Sequence, residues 1–197
     1  MKQLLLILVC GLALAAQVVA QESRREITNP AANPADDTKG LSDKVPDVYA
    51  IPTQFDRVVV LRFKFDTDLL AGLEKMVKQQ KISNAIILSG MGSVRGYQVH
   101  QVSNRTFPSK NIFVRNPTEP ADILGMSGFI ANGIVHPHIA LATPDKAFGG
   151  HLEPGTAVFT FAVVTLGVLK DGADLSHLDD KSSVSYTHLT LPTILRV

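Results

Sequence analysis

Cysteine is almost missing from this chain: of 197 residues only Cys10 is one. A lone thiol excludes a disulfide framework. Cys10 also lies in an apolar leader, so a processed product would carry no thiol chemistry. Charge of one sign is missing as well, with 19 Lys+Arg against 18 Asp+Glu. Nucleic-acid binders normally carry a basic patch or stripe; here the notable basic pair, Arg24-Arg25, lies between Glu22 and Glu26. Two catalytic signatures are absent. There is no Gly-x-Ser-x-Gly elbow, and Gly90-x-Gly92 is not completed by the Gly, Lys and Ser/Thr of a phosphate loop. The apolar run from Leu4 to Leu14 is too short for a comfortable membrane span.

What is present begins with a secretory signal peptide over residues 1–20. Lys2 supplies its charged start, residues 4–14 its apolar centre and Val18-Val19-Ala20 its small-residue cleavage site. Val9 before Cys10 does not fit a lipid-attachment site. The expected product is exported, periplasmic or extracellular, with no stable membrane anchor. Losing Lys2 leaves 18 residues of each charge, so no nucleic-acid partner is expected. Residues 21–50, rich in Asn, Pro, Asp and Ala, read as a flexible linker. Residues 171–181 form a polar end segment. The tail 182–197 contains SYTHLTLPT, a string like translated sequencing adapter; it reads as non-native, and His188 within it carries no meaning.

Residues 51–170 have the size of a single domain. Val59, Leu61, Phe63 and Phe65 share one face of a strand over residues 58–65. Leu69, Leu70, Leu73, Met76 and Val77 recur at helical spacing behind the N-cap types Asp66 and Thr67, predicting a helix over 68–80. Short strands are expected at 84–88, 94–102, 112–114, 123–131, 134–142 and 157–169, with Ser89 to Ser93 as a glycine turn. Asn132-Gly133 between two apolar runs predicts a tight antiparallel hairpin. The fold class is α+β: a mainly antiparallel β-sheet with one main packed α-helix. The strand 157–169 is apolar on both faces, which one helix cannot cover, so a second subunit is the expected cover.

His136-Pro137-His138 and Gly149-Gly150-His151-Leu152 carry the chemistry. Histidines at i and i+2 of a strand point to one side. A third, from a glycine turn, could close on the pair. Three neutral imidazoles with one open position are a zinc arrangement, so His136, His138 and His151 are the expected ligands of a divalent metal, zinc first. His100 lies on a strand whose register the sequence leaves open, and Glu153 could be a general base or an orienting group. Cupins share the His-x-His pair, but no glutamate follows His138 at their spacing and the helix at 68–80 is out of place in an all-β jelly roll.

With Arg62, the 68–80 helix, Gly90-Met91-Gly92-Ser93, Gly128, His136-Pro137-His138, Asp145 and Gly149-Gly150-His151-Leu152 assembled, the chain resembles the plant-and-prokaryote-conserved family (PPC, also PCC or DUF296). That resemblance implies a homotrimer and assigns His136, His138 and His151 to the family's clustered, metal-holding histidines. In plants the domain is joined to AT-hook segments that bind DNA; this chain has no Arg-Gly-Arg-Pro hook. The expected function is an exported domain binding a divalent metal and a small ligand. A zinc-dependent hydrolase or lyase is the alternative, with Glu153 as its nearby acid. A DNA-binding or interaction scaffold rests on family analogy alone, and fold does not transfer function.

Overall fold

The computed structural model describes residues 22–29, 48, 50–175 and 178. The expected leader, most of the expected linker and residues 182–197 lie outside the described residues. Eight strands and one helix follow in the order β1 (Ser23–Asn29), β2 (Phe55–Lys64), α1 (Leu69–Gln79), β3 (Ala85–Val102), β4 (Ser109–Asn116), β5 (Ala121–Ala131), β6 (Ile134–Ala142), β7 (Ala147–Leu152) and β8 (Ala157–Leu169). All the strand pairings are antiparallel. The α+β class with one packed helix is therefore correct.

Asp68 caps α1: its side chain accepts from the Ala71 amide at 2.9 Å and from the Gly155 amide at 2.6 Å. The first bond satisfies an orphan N–H at the helix start. The second ties the cap to the loop before β8. Leu69, Leu70, Leu73 and Val77 form the buried stripe of α1 and join Leu61 and Phe63 of β2 in the main core. Phe65 does not join them; it is half-exposed, because β2 ends at Lys64 and Asp66 turns the chain at φ 63°.

β3 organises the sheet, pairing with β4, β5, β7 and β8. Because β5 pairs with β6, β6 with β7 and β7 with β3, these four strands close a ring. The expected glycine turn at residues 89–93 is not a turn. β3 runs straight through it, with register shifts against β8 between Ile87 and Ser89 and between Gly92 and Val94. The glycines serve close approach instead: a Cβ on Gly90 would meet Met126 at 2.5 Å, and one on Gly92 would strike the Phe161 carbonyl. Asn132 (φ 50°) and Gly133 (φ 79°) form the expected two-residue hairpin between β5 and β6.

Ser23–Asn29, within the stretch expected to be a linker, pairs with β4 over its whole length as an edge strand. Val58, Val60, Met91, Phe159 and Phe161 remain exposed on β2, β3 and β8.

Candidate metal centre

Three neighbouring strands bring histidines into one row. His138 on β6 lies directly opposite His151 on β7, which lies directly opposite His100 on β3. Directly opposed residues of antiparallel strands share a face, and the rings touch accordingly. The His100–His151 centroids are 4.7 Å apart and the His138–His151 centroids 5.7 Å. His136, two residues before His138, adds contacts of 5.4 Å to His138 and 4.9 Å to His151. The alternate residues Val99, Ile139, Leu141 and Leu152 are buried in the core, so the histidines occupy the outer surface of the strand ring.

His151 does not come from a turn, as its glycines had led us to expect. Gly149 and Gly150 are inside β7. A Cβ on Gly149 would strike the Ile139 carbonyl, and one on Gly150 the His100 carbonyl. These glycines let β7 press against both neighbours, and that closeness aligns the three histidines.

Glu153 holds two of the rings. Its Oε1 lies 2.6 Å from Nδ1 of His100 and 2.9 Å from Nδ1 of His151. An ionised carboxylate only accepts, so both Nδ1 atoms donate and both Nε2 lone pairs are left for a ligand. Two donors on one tetrahedral ion at metal–ligand distances of about 2.0–2.1 Å stand roughly 3.3 Å apart. The Glu153 contacts are shorter than that and are hydrogen-bond lengths. Glu153 thus orients imidazoles in this arrangement.

His100, His151 and Glu153 offer ligand atoms all within 4.8 Å of one another, and this group could hold a metal ion. Of the three histidines expected as ligands, only His151 belongs to that group. His136 and His138 flank it. Three imidazoles on one tetrahedral ion would have ring centroids about 5.2 Å apart, from the same bond lengths. The ring centroids of His136, His138 and His151 are 5.4, 4.9 and 5.7 Å apart, near that value, but of these three only His151 is in the described group whose ligand atoms lie within 4.8 Å of one another. Partial burial is the main cause holding the His138 pKa below its ordinary value, with repulsion from His136 and His100 adding to it. Burial also lowers His151, outweighing the opposing hydrogen bond that it donates to Glu153. Neutral imidazoles are the form that binds metal.

His100 and Glu153 are candidates in the sequence, which does not place them. The signal for His100 was available only as a strand histidine. Its partner in the row is some fifty residues away, and no local pattern reveals that register.

An outward-facing imidazole row on an antiparallel α+β domain defines a candidate metal-binding protein. The chain belongs to the Plants and Prokaryotes Conserved (PCC) domain family, whose model matches residues 51–170. Among curated proteins it is similar to the bifunctional protein GlmU of Synechococcus sp. (strain JA-3-3Ab), 32% identical over 117 residues. That match covers 59% of this chain and 18% of the relative, so the chain spans under a fifth of the relative's length. Among solved structures it resembles a metal-containing protein from Archaeoglobus fulgidus (TM-score 0.52, 23% identity, covering 61% of this chain and 86% of that one). It also resembles a plant- and prokaryote-conserved protein from Pyrococcus horikoshii (TM-score 0.51, 21% identity, 62% and 85% covered). At these identities the two structures establish the fold alone.

Proposed function

We propose that this chain is an exported PCC-domain protein that binds one divalent metal ion, zinc, through His136, His138 and His151, and presents it to a small ligand. The observation that carries the reading is the imidazole row on the outer sheet surface, with Glu153 fixing the Nδ1 protons of His100 and His151. The Archaeoglobus neighbour being a metal-containing protein supports it. The bound ion would supply Lewis acidity; the chain's own residues orient the imidazoles and keep them neutral.

Titrating zinc into mature protein, purified without chelator or affinity tag, tests the reading. One ion per chain is expected, lost in His138→Ala and in His151→Ala and kept in His177→Ala, whose histidine belongs to the polar end segment 171–181. No zinc uptake by wild type at neutral pH overturns it. Loss in His100→Ala with retention in His138→Ala moves the ion to the His100–His151–Glu153 group.

A hydrolase or lyase is the second reading, favoured by the partly buried Glu153 carboxylate beside the ring row. Glu153→Gln should then reduce turnover of a substrate while leaving its binding in place. The mature chain is further proposed to be a homotrimer, with exposed Val58, Val60, Met91, Phe159 and Phe161 supplying the contact surface. Light scattering at micromolar concentration should give three times the chain mass, and a monomer mass contradicts it. N-terminal sequencing of exported protein should begin at Gln21.

A further inference from the structure

The histidine row continues beyond the histidines. His100 lies opposite Phe113 on β4, and Phe113 lies opposite Arg25 on β1. The His100 and Phe113 rings are 4.9 Å apart, which confirms their common face. His138, His151, His100, Phe113 and Arg25 therefore form one line across five strands. Arg115, two residues along β4 from Phe113, is on the same face and diagonal to Arg25.

The other face of this region handles its cations differently. There Arg24 bonds Glu22 at 3.0 Å, Lys110 pairs with Glu26 at 3.4 Å and Lys146 with Glu22 at 2.9 Å. On the histidine face, Glu153 is already bonded to two imidazoles. Among the described residues neither Arg25 nor Arg115 has a carboxylate partner. Two like charges on a diagonal repel each other. A bound anion between them and the histidines would remove that cost.

We propose that Arg25 and Arg115 form an anion subsite beside the histidine face, and that the ligand is a small organic dianion. One anionic group meets the metal held by the histidines; the second is gripped by the guanidinium forks, whose geometry matches a carboxylate or phosphate. At a strand spacing of about 4.8 Å, Arg25 and the nearest proposed metal ligand, His151, are roughly 14 Å apart along the row. The long arginine side chain spans much of that gap over Phe113, leaving room for a molecule of a few carbons. The N-terminal strand would thus supply a specificity residue to a site built by the rest of the domain. This rests on the metal reading above, because one end of the dianion must be held at the histidines.

The test is calorimetry on zinc-loaded mature protein with succinate, phosphoglycolate and the monoanion butyrate. At least one dianion should bind tenfold or more tighter than butyrate, and the tighter of the two identifies the second group as carboxylate or phosphate. Combining Arg25→Ala with Arg115→Ala should erase that advantage, with melting temperature and zinc content unchanged. Arg25→Lys with Arg115→Lys should keep part of it. No dianion preference in wild type, or a preference that survives the double alanine variant, overturns the subsite. Zinc content separates the failures: bound zinc without dianion preference defeats only the subsite. Absent zinc defeats the metal reading, while an arginine-dependent preference would still support the subsite.

Discussion

The two faces of the β1–β4–β3 region use the same strands to opposite ends. On one face Tyr97 is fully buried, its hydroxyl donating to Glu119 at 2.5 Å and lying 3.2 Å from Glu22. Burial, then the Glu119 contact, pushes the Tyr97 pKa upward, while the Glu22 bond chiefly raises Lys146. Asn116 also donates to Glu119, at 3.0 Å. On the opposite face, His100, His151 and Glu153 are about a fifth exposed, and Glu153 engages Nδ1, not Nε2, of both rings. A network whose donors and acceptors are mutually satisfied stabilises the fold; one that leaves lone pairs unused is suited to receive a ligand.

The largest expected effect breaks the satisfied face. Tyr97→Ala empties a large buried ring site and should cost about 3–5 kcal/mol, the range for truncating a large core aromatic. His100→Ala on the open face should cost only about 1 kcal/mol. Denaturant unfolding of the two variants checks the contrast, and equal losses would erase it.

Next is Glu153→Gln. The neutral amide oxygen accepts more weakly from the two Nδ1–H groups than a charged carboxylate does. Zinc affinity should fall about 10–100-fold, as for loss of a group that orients ligands, with little change in unfolding. Unchanged affinity would show that Glu153 does not hold the rings.

A pH series sharpens the same contrast. His138 and His151 have folded pKa values below 6.5. Unfolded histidines take up protons near 6.5 and the folded ones only at lower pH. Their stabilisation is therefore complete above about pH 6.5 and is lost as pH falls through the folded values. With chelator present, the melting temperature should drop between pH 7 and pH 5, and drop less in a His138→Ala, His151→Ala double variant. Parallel curves would contradict the assignment.

The smallest effect concerns β1. Lys146→Met removes one of the partners of Glu22 and should cost about 0.2–1 kcal/mol, as for part-exposed ion pairs. Faster amide exchange confined to residues 23–29 is the expected signature.

The elements that were legible in the chain are those set by neighbours in sequence. The α1 stripe of Leu69, Leu70, Leu73 and Val77 follows from 3.6-residue periodicity. The β5–β6 hairpin follows from Asn132-Gly133, because those residue types tolerate positive φ. The pair His136 and His138 on one strand face follows from the period of two. Glycine was the ambiguous symbol. At Gly90, Gly92, Gly149 and Gly150 it read as a turn but served close contact between strands, and sequence spacing does not separate the two uses.

By itself the sequence determined the α+β class, the helix, the hairpin and the presence of a histidine-bearing strand, since each depends on local periodicity and backbone preference. Only the tertiary structure decided that β7 slots between β6 and β3, aligning His138 with His151 and His100, and that residues 23–29 extend the row to Arg25. Register between distant strands is set by which faces bury together and how closely backbones pack. That information belongs to the folded sheet and to no short stretch of the chain.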